Sequence, residues 1–349
     1  MKRTLLDEAT AARRPVQAAA EGAMSDGFGR RVEYLRVSVT DKCNLRCVYC
    51  MPEEGLPWLG RSEILTYEEI CDIVRTMAGM GLRRVRLTGG EPLVRRDLDR
   101  LVAGLRAIDG IEEISLSTNA VLLRQHAAAL RDAGVDRINV SLDSLKPDRM
   151  DAIARRPGSA AAIMDGLAAA EEVGFAPIKV NAVILRGRND DELADFARIT
   201  LDRPWHVRFI EVMPVGENLD VSMSEYVPAM EMLERLHAIG ELEPVPGPPG
   251  NGPATYFRFP GAAGTVGVIT PMSHNYCDRC NRMRLTANGR LRPCLFGDLE
   301  TDLRTPLRAG EALEPHIRHT LAIKPERHHL VQGSASGSGG LLALSQIGG

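Results

Sequence analysis

The sequence predicts an α/β protein built on parallel strands, and three observations carry that prediction. Short apolar-rich runs alternate with amphipathic stretches about six times between residues 34 and 212. The amphipathic stretches stop on turn residues such as Gly81 and Gly134. Residues able to do chemistry fall at or just past the ends of the apolar runs: Thr88, Glu91, Ser117, Asn119, Ser141, Asp143, Asn181, Glu211 and Met213. Alternation of this kind implies right-handed crossovers between parallel strands, and a doubly wound open sheet and a partial barrel both satisfy it. In a barrel those strand ends converge on one mouth.

Taken in order, "YLRVSV" (34–39) reads as a strand and 66–80 as a helix ending at Gly81. "RVRLT" (84–88) is a strand running into "GGEP", followed by a helix over about 94–108. "EISLST" (113–118) precedes a helix at 121–133, and "RINVSL" (137–142) leads into helical 147–154 and 159–173. "IKVNAVI" (178–184), a helix at 190–200 and "VRFIEV" (207–212) close the series. A helix near 223–238 then meets the Pro/Gly-rich "EPVPGPPGNGPA", and short strand-like runs "TYFRF" and "TVGVIT" follow. The expected division is a disordered extension over 1–28, the β/α unit over 29–215, a C-terminal region over 216–330 and a flexible tail over 331–349. About 16 flexible residues reach roughly 20–24 Å, enough to dip Gly348–Gly349 into a cavity.

Bulk numbers exclude more than they assign. A chain of 349 residues with net charge −3 gives no global case for nucleic acid or an anionic membrane. No apolar run reaches the length of a transmembrane helix. Seven cysteines, an odd number in two tight groups plus Cys71, argue for metal in a reducing, cytoplasmic setting rather than for disulfides. Cys71, at a helical apolar position beside Ile70, Ile73 and Val74, reads as a small buried hydrophobe.

The first group, "DKCNLRCVYC", spaces Cys43, Cys47 and Cys50 as C-x3-C-x2-C directly after the first strand. Three soft thiolates suit an iron–sulfur cluster with one open iron, a zinc site completed from elsewhere, or unligated thiols. The second group, Cys277-x2-Cys280-x13-Cys294, is again one ligand short. His274 or Asp278 could complete a zinc ribbon there, and Arg282, Arg284, Arg290 and Arg292 suit nucleic acid or a phosphorylated small molecule.

The first triad, with Tyr49 before its last cysteine and "GGEP" after the second strand, resembles the radical S-adenosylmethionine superfamily. Two glycines let the backbone approach a ligand closely. With the second triad and the closing "GG", the stretches "LRVSVTDKCNLRCVYCMP", "VRLTGGEPLVRRDL", "RINVSLDSL", "VRFIEVMPVG" and "SQIGG" resemble the GTP 3′,8-cyclase family of molybdenum cofactor biosynthesis, over about residues 28–349. That resemblance implies an incomplete (β/α)6 barrel of TIM type, with two 4Fe–4S clusters at opposite ends of one cavity. It implies that Cys43, Cys47 and Cys50 hold the first cluster and that Tyr49, Gly90, Ser141 and Met213 contact S-adenosyl-L-methionine. Cys277, Cys280 and Cys294 would hold the second cluster. Arg36, Arg86, Ser117, Lys179, Arg282, Met283 and Arg284 would bind GTP, with Arg208 a further candidate. Arg282, Gly348 and Gly349 would serve catalysis. An electron donor such as flavodoxin or ferredoxin, the downstream cyclic pyranopterin monophosphate synthase, and a monomer or homodimer are the partners it implies. Two departures stand out: Ala120 where a glycine is common, and Arg84 where a lysine is common.

Overall fold

A computed structural model describes residues 24–215, 224–248, 252–328 and 343–348, with Leu6 and Val221 besides. Six strands form the expected series: β1 (Tyr34–Ser38), β2 (Arg84–Thr88), β3 (Glu113–Thr118), β4 (Arg137–Ser141), β5 (Ile178–Ile184) and β6 (His206–Glu211). Between them lie α1 (Tyr67–Gly79), α2 (Leu98–Arg106), α3 (Leu123–Ala133), α4 (Pro147–Ala154), α5 (Ser159–Glu172) and α6 (Leu193–Asp202). Local chemistry sets their ends. Thr66 and Glu69 form a reciprocal capping box at the start of α1, and Gly134, at φ 108°, closes α3.

The C-terminal region adds α7 (Ala229–His237), β7 (Glu243–Val245), β8 (Thr255–Arg258), β9 (Thr265–Ile269), β10 (Arg282–Leu285), β11 (Arg290–Arg292), β12 (Thr301–Asp302), α8 (Arg304–Arg308), α9 (Glu314–Ala322) and α10 (Leu344–Ile347). Among the described residues, twelve strands form one open sheet, ordered β12-β11-β10-β1-β2-β3-β4-β5-β6-β9-β8-β7. The middle eight are parallel, because β9 pairs parallel with β6 at one edge and β10 parallel with β1 at the other. Antiparallel hairpins finish both sides. The sheet is thus the incomplete TIM-type barrel expected, with its six strands widened by one parallel strand on each flank. Strands β7, β10, β11 and β12 fall outside the strands expected from the sequence, where RMRL stands out only as part of an arginine row.

Residue parity divides the sheet. Leu35, Val37, Val85, Leu87, Ile114, Leu116, Ile138, Val140, Ile178, Val180, Val207 and Phe209 are fully or nearly fully buried in one continuous core. They face the helices, and burying a side chain of this size contributes about 1.5–3 kcal/mol. The alternate positions are polar: Arg36, Ser38, Arg86, Thr88, Ser115, Ser117, Arg137, Asn139, Ser141, Lys179, Asn181, His206 and Arg208. A packed parallel barrel fills its interior with branched apolar side chains. This one has a polar interior, which makes its inside the candidate site.

Both ends of the chain depart from the expected division. The extension expected over 1–28 is docked from Met24 onward: Met24 is buried and its amide donates to the Met80 carbonyl at 3.1 Å. Arg30, buried, anchors the same segment through Asp26. The tail expected to be flexible over 331–349 ends in α10, whose Leu344 and Ile347 are buried; Gly349 and 329–342 lie outside the described residues. Apolar side chains at both places have a core to enter, which composition alone does not reveal.

Candidate functional site

The loop after β1 carries the first triad and is fixed by backbone contacts to its neighbours. The Gly90 amide donates to the Thr40 carbonyl at 2.8 Å and the Glu91 amide to the Lys42 carbonyl at 2.8 Å. A Cβ on Gly90 would lie 2.3 Å from the Lys42 carbonyl oxygen, so only glycine lets the two loops touch. Arg46 and Val48 amides donate to the Ala154 and Ile153 carbonyls at the end of α4. Cys43, Cys47 and Cys50 are half-buried and within electrostatic reach of one another. Burial, with Glu91 beside it, pushes the Cys43 thiol up to about 11. Burial and Cys43 push Cys50 up to about 12.

Two buried carboxyl groups organise this end. Glu91 accepts from the Thr118 hydroxyl at 2.7 Å, the Asn119 amide at 2.6 Å and the Leu93 amide at 3.0 Å, yet burial still lifts it to about 7. Asp143 accepts from the Tyr49 hydroxyl and the Val183 amide, both at 2.8 Å, and burial lifts it to about 6. Asn119 donates to Asn44 at 2.8 Å, next to Cys43. Ser141 closes β4 two residues before Asp143. Met213 packs with Tyr49 and Cys50 against Ile347.

The second triad lies at the opposite ends of the strands. Cys277 and Cys280 precede β10, and Cys294 follows the antiparallel β11, so all three meet beside the start of β1, where Tyr34 pairs with Arg282. Here the surroundings are cationic. Burial alone would raise the Cys280 thiol, but Lys324 and Arg282 outweigh it and hold it at about 7.

Between the two ends runs a band of cations. Arg36 stands in register with Arg86 on one side and Arg284 on the other. Arg86 donates to the Ser115 hydroxyl at 3.1 Å and covers the Tyr34 ring. Arg208, 2% exposed, donates to Asn139 at 2.7 Å and leaves its Nε without a hydrogen-bond partner among the described residues. Burial and then Arg208, Arg137 and Arg86 push the Lys179 ammonium down to about 6. Burial and Arg282 hold Arg284 near 10. Like charges this deep make the band a receptor for a polyanion.

The end of the chain enters this band. The Gly348 carbonyl accepts from Arg36 Nε at 3.3 Å and from the Arg284 guanidinium. Gly348 has φ 73°, and a Cβ there would lie 2.8 Å from Thr88 Cγ2, so glycine is needed twice over. The Ser345 amide donates to Cys50. The expected docking of the tail is therefore visible at Gly348; Gly349 lies outside the described residues.

Three expected residues sit differently. Met283 turns its side chain into the helix-side core while Arg282 and Arg284 flank it, because strand parity sends neighbours to opposite faces. Arg84 has its guanidinium among Glu33, Glu112 and Glu113 at 3.5–3.7 Å, at the rim rather than in the cation band. Cys71 is half-buried, and lines an outer cavity of about 460 Å³ with Tyr67 and Arg100, away from both triads. Ala120, although not glycine, does adopt φ 61°, held where Thr118 and Asn119 grip Glu91.

The donors fit iron–sulfur clusters. Among the described residues no three Cys, His, Asp or Glu side chains gather at the spacing of one ion, and His274 and Asp278 are exposed. A cubane needs no such convergence, since each thiolate takes its own iron corner. The carboxyl groups of Glu91 and Asp143 and the Gly90 cradle suit a ligand bearing a sulfonium and an amino group.

Sequence reasoning singled out the cysteines, the glycines and most of the cations. It missed Lys324 and Arg30, which lie outside every motif and for which no local signal exists.

Comparison with known proteins agrees with this geometry. Residues 37–199 match the family model "Radical SAM superfamily", and residues 205–330 match "Molybdenum Cofactor Synthesis C". The chain is 49% identical over 330 residues to a GTP 3′,8-cyclase of Pelotomaculum thermopropionicum, covering 93% of this chain and 100% of that one. It is also 49% identical to a GTP 3′,8-cyclase of Moorella thermoacetica, with the same shares covered. Among solved structures, Streptococcus suis SuiB bound to S-adenosylmethionine aligns with a TM-score of 0.55 at 14% identity, over 78% of this chain and 63% of that one, a likeness of fold. The chain belongs to the GTP 3′,8-cyclase family of the radical S-adenosylmethionine superfamily.

Proposed function

We propose that this chain converts GTP into (8S)-3′,8-cyclo-7,8-dihydroguanosine 5′-triphosphate, the first step of molybdenum cofactor biosynthesis. The observation that carries the proposal is one polar barrel interior with a cysteine triad at each end and a cation band between them. Cys43, Cys47 and Cys50 would hold the first 4Fe–4S cluster, and Cys277, Cys280 and Cys294 the second. When bound, the first cluster and S-adenosyl-L-methionine supply a one-electron cleavage that yields a carbon radical able to take the ribose C3′ hydrogen. Tyr49, Gly90, Ser141 and Met213 hold that cofactor, with Asp143 fixing the Tyr49 ring through its hydroxyl.

The remaining work is positioning. Arg36, Arg86, Lys179 and Arg208 take the triphosphate, Arg282 and Arg284 orient the nucleotide toward the second triad, and Ser117 lines the same face. Held at both ends, GTP keeps one ribose C3′–H aimed at its hydrogen acceptor and C8 turned toward C3′, so rotations that would otherwise have to be frozen are already fixed, and the gain is entropic. The tail at Gly348, gripped by Arg36 and Arg284, closes the interior against water. An external donor of flavodoxin or ferredoxin type supplies electrons in a reducing, cytoplasmic setting. The product passes to cyclic pyranopterin monophosphate synthase. No described helix is long and apolar enough to cross a membrane.

Anaerobic reconstitution, iron counting and incubation with GTP, S-adenosyl-L-methionine and reductant test the proposal. The parent chain should hold two clusters and form 5′-deoxyadenosine only with GTP present. Cys294→Ala should lose cyclisation below detection while retaining the first cluster's visible absorption. Zinc in both triads, or two clusters without GTP-dependent 5′-deoxyadenosine, would refute it.

A further inference from the structure

Lys324 follows α9 and is almost fully buried, at 3% exposure. Its ammonium lies 2.6 Å from the Pro293 carbonyl, 3.0 Å from the Arg282 carbonyl and 3.5 Å from Cys280 Sγ. Three N–H donors thus meet three acceptors. The acceptors come from both arms of the β10–β11 hairpin: Arg282 opens β10 two residues after Cys280, and Pro293 directly precedes Cys294. One side chain therefore ties together the two segments that deliver Cys280 and Cys294.

A second buried cation completes the frame from the other side. Arg30 donates to the Cys277 carbonyl at 2.6 Å, to the Pro325 carbonyl at 2.6 Å and to the Glu326 carbonyl at 2.7 Å, while Asp26 holds its Nε at 2.6 Å. The 324–326 segment is thereby clamped against all three cysteine segments. Arg30 has its own carboxylate in Asp26. Lys324 has two neutral carbonyls and a sulfur. Burying an ammonium so completely is costly without an anion, and the thiolate side of a negatively charged cluster supplies one.

We propose that Lys324 is a positioning residue for the second cluster, fixing the Cys280 and Cys294 segments and raising the cluster's reduction potential through its N–H···S contact. A hydrogen bond and a fixed positive charge at a ligating sulfur favour the more negative, reduced state. The inference rests on the reading of Cys277, Cys280 and Cys294 as a cluster site. Lys324 bonds to two backbone carbonyls and one thiol sulfur, so its effect is read on the cluster rather than on turnover.

The test compares reconstituted full-length parent, Lys324→Met and Lys324→Arg. Iron is counted, and both clusters are titrated electrochemically under electron paramagnetic resonance, the first cluster serving as internal standard. Bleaching of each cluster by a chelator is timed alongside. Lys324→Met should shift the second cluster to a more negative potential and speed its bleaching about tenfold or more. The first cluster should keep its parental potential, and Lys324→Arg should recover part of both effects. A second cluster in Lys324→Met that titrates and bleaches as in the parent overturns the inference. So does loss of that cluster in both variants alike, since the retained charge of Arg should then have helped. A parent with a single cluster, or with zinc in the second triad, overturns the underlying reading and this inference with it.

Discussion

The two cysteine triads have the same incomplete donor set and opposite electrostatic surroundings. Around Cys43, Cys47 and Cys50 the buried charged partners are carboxyl groups, Glu91 and Asp143, and burial with these acids drives the thiols upward. Around Cys277, Cys280 and Cys294 they are Lys324 and Arg30, with the half-buried Arg282 beside them; Cys280 is held low, although burial still raises Cys277. The difference is the one expected if each end meets the molecule proposed for it. On the proposed assignment, S-adenosyl-L-methionine would bring a sulfonium and an amino group to the acidic end, and GTP a triphosphate toward the basic band. Spacing of cysteines names a metal site, but the charges packed behind them select what completes it.

The largest expected effect is at the basic band. Arg208→Met removes a buried guanidinium that faces the interior beside Asn139. A charge-assisted hydrogen bond of about 1.5–3 kcal/mol corresponds to roughly 10–150-fold weaker GTP binding. S-adenosyl-L-methionine binding, measured by calorimetry on the same variant, should be unchanged. Equal loss of both ligands would erase the division between the two ends.

A smaller effect is expected from pH. Lys179 faces Arg208, Arg137, Arg86, His206 and Glu113, and in the GTP-free chain it loses its proton near pH 6. A triphosphate beside it restores the charge, so GTP binding takes up a proton. Affinity should fall by up to about tenfold per pH unit from pH 7 to 9. The sign for stability follows from the same pair of states. Unfolded Lys179 stays protonated to about pH 10.4, so between about pH 6 and that value the unfolded chain binds more protons and stability rises with pH. Calorimetry in buffers of different ionisation enthalpy reads the uptake, and Lys179→Met should abolish it. Persistence of the uptake in that variant would assign it elsewhere in the band.

The smallest expected effect belongs to the acidic end. Ala120, at φ 61°, holds a conformation that costs a non-glycine residue about 1–2 kcal/mol. Ala120→Gly should raise thermal stability by less than about 1 kcal/mol, because glycine loses more entropy on folding. Cluster content should not change, since Thr118 and Asn119 still hold Glu91. A fall in first-cluster iron would mean that the strain itself shapes the loop.

Much of this protein was written locally. The alternation of strands and helices, the ends of α1 and α3, and the two cysteine spacings follow from periodicity, caps and short-range geometry, which act within a turn or a strand. Even the polar interior is legible, in YLRVS, RVRLT and RINVS, because a strand sends alternate residues to opposite faces. What tertiary structure decided is which distant segments share a space. Pairing of β10 with β1 brings Arg282 and Arg284 beside Arg36 and Arg86. Gly348 reaches Arg36 across 312 positions, and Arg30 reaches Cys277 across 247. Such contacts are selected by a shared core and by charges that must find partners once buried, and neither force leaves a pattern in the chain around the residue it places.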